Sequence, residues 1–388
     1  MALISYITGD CPGCGAKNRF GNVDVYSRYI YRGCGVCRYN QKVPLPEVRK
    51  KVLYLDQFFF SHAFRGNDER FIEAASRIRR LTANQQLVVP FSSIHEEETH
   101  QWARYAELMD FIKRTSGGHE LHPAYKIEQA QLQKAMTRWL KGLGDDYECE
   151  EREALRDDVH VWDGYMWIDV GGYHGDRELV RTLKAQAVDS LIDTFEGWRK
   201  STNTFEQDVM LEHKAAATGY VQYYLGYVKR IMAGDFMAQM DSPIMSQVVR
   251  NLQHVVPKEL DWFATVLEFF KTSHFHNAPY QDIGSKMFAT LKMLVKGGAY
   301  QNREQALRKL SGFFGDVKHI STYAPYCDAI LIDAPMHELV GRKQVDLAGR
   351  YGVKVFSRSN WGEMLAWFDE VEAGMTEEHR AALEVAYP

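Results

Sequence analysis

Nine residues of this chain have types and spacings that could do chemistry. Four are cysteines in two close pairs, Cys11 and Cys14 in C-P-G-C-G and Cys34 and Cys37 in C-G-V-C, with nineteen residues between the pairs. Two residues between cysteines let a tight turn aim both sulfurs at one ion, and the neighbouring glycines let backbone amides approach the thiolates. Two such knuckles supply the four soft ligands that tetrahedral zinc prefers, with no position left open, so the expected zinc is structural. The other five are acids: Asp56 inside the apolar run VLYLDQFFF, Glu98 in HEEETH, Asp316 in GDVKH, and Asp328 and Asp333 at the two ends of DAILID. An acid beside or inside an apolar strand is expensive unless it is paired, hydrogen-bonded or metal-bound. Any one alone is equally a satisfied core or capping acid. As a set they suggest a shared divalent site, and hard carboxylate oxygens suit Mg²⁺ or Mn²⁺. A pair of such ions about 4 Å apart is a common device for in-line cleavage of phosphodiesters.

The elements that must position these groups read as follows. Residues 1–45 form a small ribbon, because NVDVYSRYIYRG alternates like paired strands. PLPEVRK (44–50) is a linker. VLYLD is a buried strand ending near Asp56, QQLVVPFSS a second strand stopped by Pro90, and IHEEETHQWARYAELMDFIKRT a helix that Ser92 or Ser93 caps. From about 120 to 270 the pattern is mostly helical. Then come a helix over 315–326, a buried strand over 327–333, a helix in PMHELVGR, a strand over 353–357 and a closing helix. Strands joined by helices at both ends imply an α/β fold with a parallel sheet, and ligands of such sheets bind at the carboxyl ends of the strands. Asp56, Glu98 and Asp316 fall where that rule wants them, and Asp328 and Asp333 bracket the third strand.

The runs VLYLDQFFFS, VVPFSSIHEEETHQW, GDVKHISTYAPYCDAILIDAPMHEL and VKVFSRSNWGEMLAWFDEVE resemble a PIN-like nuclease domain. The resemblance covers two blocks, roughly 50–115 and 275–370. It assigns Asp56 to the first acidic position, Glu98 to the second (with Glu96 and Glu97 as neighbours in register), Asp316 to the third, and Asp328 and Asp333 to the rest. It implies a PIN-like parallel sheet flanked by helices, divided into a zinc ribbon (1–45), a first part of the PIN-like domain (46–118), a large helical insertion (119–272) and a second part (273–388). The long insertion and the fused ribbon both depart from compact PIN domains. The implied activity is a Mg²⁺- or Mn²⁺-dependent endonuclease, with RNA favoured over DNA, in the manner of a toxin or defence effector. A regulatory protein partner fits that role.

Charge and composition set the competing reading. At 45% hydrophobic, 13% aromatic and net −4, the chain has an ordinary folded composition and no overall basic character. The first fifty residues differ: Lys17, Arg19, Arg28, Arg32, Arg38, Lys42, Arg49 and Lys50 oppose Asp10, Asp24 and Glu47. With Phe20, Tyr26, Tyr29, Tyr31 and Tyr39 they could stack and neutralise a nucleic acid, or pack the ribbon onto the rest of the chain. The alternative to the nuclease is therefore a non-catalytic zinc-ribbon module that binds RNA or protein. A phosphatase or DNA nuclease using the same acids is a third reading. GDDYECEEREALRDD (144–158) reads as a solvated acidic segment. MALISYITGD lacks a basic segment followed by a long apolar stretch, no window has the ~18 apolar residues of a membrane span, and paired thiols suit a reducing compartment, so a cytoplasmic protein is expected. In HEEETH the histidines are five apart, which rules against a zinc-protease motif, although His95 and Thr99 could support the acids. His274, His276, His319, Ser357, Ser359 and Asn360 are weaker candidates, and Cys149 and Cys327 are read as non-ligands.

Overall fold

The computed structural model describes residues 1–167, 177–239 and 244–388. The first sheet is antiparallel, with β1 (Tyr6–Gly9), β2 (Phe20–Tyr26), β3 (Tyr29–Cys34) and β4 (Asn40–Pro44) in that order. Strand alternation sends Val25 and Ile30 to one face and Tyr26, Tyr29 and Tyr31 to the other. Gly21 is required, because a Cβ there would lie 1.9 Å from the Tyr6 carbonyl oxygen across the β1–β2 pair. The two proposed uses of this ribbon thus separate by face. Val25 and Ile30 pack against Val48, Trp162, Ala382 and Ala386, while the tyrosine face stays outside.

The second sheet is fully parallel, in the order β6 (Leu87–Val88), β5 (Lys51–Leu55), β7 (Ala329–Leu331), β8 (Lys354–Phe356). Helices cover both of its faces, which is why its strands are apolar apart from Lys51 and Lys354 at the exposed starts of β5 and β8. The first half supplies α1 (Gln57–Arg65), α2 (Glu69–Ala83), α3 (Ser93–Thr99) and α4 (Tyr105–Thr115). The middle supplies α5 (Ala124–Leu140), α6 (Arg177–Asp193), α7 (Phe195–Lys200), α8 (Phe205–Met232), α9 (Ile244–Gln253), α10 (Trp262–Phe269) and α11 (Ser273–His276). The second half adds α12 (Pro279–Lys296), α13 (Arg303–Lys309), α14 (Phe313–Tyr323), α15 (Ala334–Val340), α16 (Leu347–Tyr351), α17 (Trp361–Ala373) and α18 (Glu377–Ala386).

Leu53, Leu55, Ala329 and Leu331 face one way, toward Phe59, Phe71, Ile78, Leu108 and Met364 of α1, α2, α4 and α17. Val52, Tyr54, Ile330 and Ile332 face the other, toward α5, α6, α12 and α14. Each such buried side chain contributes roughly 1.5–3 kcal/mol.

The middle segment is not a uniform insertion. Ile127 of α5 and Val188 and Leu191 of α6 belong to the core of the sheet, whereas Tyr220, Val249, Phe269 and Phe275 of α8 to α11 build a second core with Leu132 and Met136. It is also less helical than expected, since 141–167 is mostly irregular. The acidic segment is held down there: Glu150 and Glu153 pair with Lys134, and Glu151 with His160. Trp162 then bridges to Ser27 of the ribbon. The parts of the expected helical stretch at 168–176 and 240–243 lie outside the described residues. Among the described residues no helix is long and apolar enough to cross a membrane.

Candidate active site

Asp56 is the first residue beyond β5. Its backbone N–H continues the ladder by donating to the Leu331 carbonyl (3.0 Å), and its side chain is buried at 8% exposure. Asp333 lies two residues beyond the end of β7 and caps α15, accepting from the Met336 amide at 2.9 Å. Glu98 comes from α3 and Asp316 from the first turn of α14. Gly315 makes room between those two helices, since a Cβ there would lie 3.0 Å from Glu98 Oε1. Asp56, Glu98 and His319 each bring a ligand atom within 4.8 Å of the others.

The three neighbouring glutamates resolve by direction. Glu96 faces Lys113 at 4.0 Å, Glu97 pairs with Lys184 at 3.2 Å, and Glu98 points into the cluster. His95 and Thr99 hold the site together from the same helix. His95 Nε2 donates to the Leu55 carbonyl at 2.7 Å, fixing the end of β5, and Gln57 donates to Thr99 Oγ1 at 2.8 Å. Burial pushes the His95 imidazole down to about 3, so it is a neutral support.

Asp328 is not part of this cluster. It sits at the level of Val52, four residues before Asp56 on the neighbouring strand, roughly 13 Å away at 3.3 Å per residue. Its carboxylate accepts from the Val52 amide (2.8 Å) and from Lys51 Nζ (2.7 Å). The expectation that it joins the other acids is therefore corrected: being just before β7, it lies at the amino end of a parallel sheet.

Burial dominates the electrostatics of these acids. Burial, together with the Glu98 and Asp333 carboxylates, pushes Asp56 up to about 7 against the pull of His319. Burial and the same neighbours raise Asp316 well above the usual carboxylate range, and burial raises Asp333. Glu98 behaves oppositely. Burial works to raise it, but His319 and Lys184 outweigh burial and hold it at about 2. Lys184 approaches Glu98 at 3.8 Å and His319 Nε2 at 3.7 Å. Asp56, Glu98 and His319 offer ligand atoms close enough together to touch one ion, and Asp316 and Asp333 lie near enough to act on Asp56 electrostatically.

Sequence reasoning missed Lys184 and placed His319 only among the weaker candidates. Lys184 lies in the helical middle, where no motif marked it. His319 follows Asp316 by one helical turn, and that spacing was the available signal. Ser357, Ser359 and Asn360 form a local cap, with Asn360 Oδ1 accepting from the Ser357 amide at 2.8 Å. His274 bonds the Leu143 carbonyl and His276 stacks on His213, both away from the acids.

The four ribbon cysteines also converge. Cys11 and Cys37 sulfurs are 3.7 Å apart, and Cys14 and Cys34 sulfurs 3.8 Å. A tetrahedron with metal–sulfur bonds of about 2.3 Å has edges of about 3.8 Å, so the cluster fits zinc. Backbone amides of Gly13, Val36 and Tyr39 donate to Cys11, Cys34 and Cys37 at 3.3–3.4 Å. The Cys37 amide, with that of Val36, draws the Cys34 thiol down to about 6. Cys149 and Cys327 lie outside both clusters.

No protein-family model, curated protein or solved structure matches the chain. The functional reading therefore rests on the geometry of the two clusters.

Proposed function

We propose that this protein is a divalent-metal-dependent endoribonuclease, with a PIN-like catalytic domain and a structural zinc in its ribbon. The observation that carries the reading is the gathering of Asp56, Glu98, Asp316 and Asp333 near the carboxyl ends of β5 and β7, where burial raises the proton affinities of Asp56, Asp316 and Asp333. These acids would hold Mg²⁺ or Mn²⁺. A bound divalent ion supplies Lewis acidity that makes water a nucleophile at neutral pH and neutralises charge on the phosphate. Lys184 offers a positive charge at the rim, suited to a phosphate oxygen. His95, Thr99 and Gln57 keep the acids in place. The outer ribbon face, with Tyr26 and Tyr29, Lys42 over the Tyr29 ring at 4.5 Å, and exposed Arg28, offers stacking and charge to single-stranded RNA. A cytoplasmic site of action suits thiols kept reduced for metal.

The test is cleavage of a mixed RNA and single-stranded DNA panel with MnCl₂, MgCl₂ or neither, comparing wild type with Asp56→Asn. Metal-dependent cutting of RNA by wild type alone is expected, with a loss in Asp56→Asn of at least ~10²-fold. Equal cutting by the variant removes the acids from catalysis. Absence of cutting by a folded, metal-loaded wild type, with RNA still bound, favours the binding module.

A further inference from the structure

We propose that His319 is a nitrogen ligand to the cation of this site, and that the site consequently prefers a first-row transition ion such as Mn²⁺ over Mg²⁺. The inference rests on reading the acid cluster as a metal site, and goes beyond it by naming a ligand that an all-carboxylate site lacks.

His319 is buried at 2% exposure, yet its Nε2 has no hydrogen-bond partner among the described residues. A buried ring nitrogen left unpaired carries a desolvation cost, and such orphans call for an explanation. This one faces Glu98 Oε2 at 3.7 Å, too long for a hydrogen bond and short enough for one ion to touch both.

The other ring nitrogen is fully engaged. Nδ1 bonds the Tyr54 hydroxyl, Tyr54 Oη lies 3.2 Å from Ser92 Oγ, and Ser92 Oγ lies 3.3 Å from His95 Nδ1. The far end of this relay has a fixed polarity. The Leu55 carbonyl can only accept, so His95 Nε2 carries the hydrogen and its Nδ1 is an acceptor. The Ser92 and Tyr54 hydroxyls can then both point their hydrogens toward His95. In that arrangement Tyr54 Oη accepts from His319 Nδ1–H, and the Nε2 lone pair is turned into the carboxylate cluster. A metal-binding histidine is ordinarily oriented in this way, by a partner that accepts its other N–H. Tyr54 is thus a positioning residue, buried beneath the site and stacked on His95. A mixed set of imidazole and carboxylate donors suits Mn²⁺ or Fe²⁺, whereas Mg²⁺ favours oxygen alone.

The probe is MnCl₂ titrated into the full, zinc-loaded protein, with free Mn²⁺ followed by electron paramagnetic resonance. Pulsed spectra of the bound ion are then recorded with and without ¹⁵N-labelled histidine. The expected result is one tightly bound Mn²⁺ whose spectrum carries an imidazole nitrogen coupling that changes on labelling. In His319→Gln that coupling disappears and the Mn²⁺ Kd rises more than about tenfold, while MgCl₂ affinity stays near wild type. Tight Mn²⁺ binding that is lost in Asp56→Asn but shows no histidine nitrogen overturns this inference and leaves the metal site standing. If wild type binds no Mn²⁺ and no Mg²⁺, the reading of the acid cluster falls, and this inference with it. The wild-type nitrogen signal decides even where His319→Gln does not fold.

Discussion

Asp56 and Asp328 look alike in the sequence, each an acid touching an apolar strand, and the structure gives them opposite physics. Asp56 is ionised at pH 8 in a site that disfavours its charge, whereas Asp328 is satisfied by the Val52 amide and Lys51. Asparagine substitutions should therefore move stability in opposite directions when no Mg²⁺ or Mn²⁺ is added. At pH 8, thermal melts of Asp56→Asn should show a gain of about 1–3 kcal/mol, from removing a buried charge above its raised pKa. Asp328→Asn should lose about 1 kcal/mol, since the charged acceptor of a backbone amide is gone, and should keep full cleavage. Loss of cleavage in a folded Asp328→Asn would contradict its placement at the amino end of the sheet. The sequence did carry a hint of this difference. Asp56 follows its strand and Asp328 precedes β7, and only the first arrangement puts an acid at the carboxyl end. His319 was harder to read, because one helical turn from Asp316 marks a shared face without showing that the face is buried against Tyr54 and Glu98.

Local patterns made the helices and strands around the acids readable: apolar runs for β5 and β7, the Ser92 cap for α3, and an amphipathic α14. The strand order β6-β5-β7-β8 was not, because it depends on pairing between strands far apart in the chain. Nor does any local pattern show that Ile127 and Val188 of the middle helices complete the sheet's own core. The seam between that core and the second one carries a titratable group. Glu128 of α5 is buried, and the Tyr220 hydroxyl of α8 donates to it, with Gln281 of α12 donating to Tyr220. Burial lifts Glu128 to about 7. Its unfolded value is ordinary, about 4.3, so the folded state binds the extra proton between those limits. This contribution is complete below about pH 4.3 and is lost as pH rises through 7. Glu128→Gln keeps the acceptor for Tyr220 without the charge. Urea unfolding should find the variant near wild type at pH 5 and more stable by about 1–3 kcal/mol at pH 8. A difference that does not depend on pH would mean that Glu128 is not the group being titrated.

The ribbon's docking face and the acids lie toward opposite ends of β5. The ribbon docks through Val48, three residues before β5, whereas the acids gather just beyond its other end. Its hold on the rest is specific: Asn22 Nδ2 donates to the Val385 carbonyl at 2.9 Å, the Tyr165 amide donates to Asp24 Oδ1 at 3.0 Å, and the Trp162 amide donates to the Ser27 carbonyl at 2.9 Å. A zinc held by the four cysteines would thus order a small sheet, and that sheet covers the C-terminal helix α18. A chain this short around the metal cannot bury enough apolar surface to fold unaided, so the ribbon's order depends on the ion. The acid site, by contrast, draws its order from the two cores that sandwich the parallel sheet. Replacing Cys34 should separate the two. In Cys34→Ser, elemental analysis should find zinc falling from about one equivalent to under ~0.1, because a hydroxyl replaces a thiolate that three neighbours need. Limited proteolysis should then cut within residues 1–45 and in the uncovered α18, leaving the remainder intact. Mn²⁺ affinity at the acids should stay within about twofold of wild type, as expected for sites with no shared partners. A loss of Mn²⁺ binding alongside the zinc would show that the ribbon props up the catalytic end of the sheet, and that the chain folds as one cooperative body with the metal as its keystone.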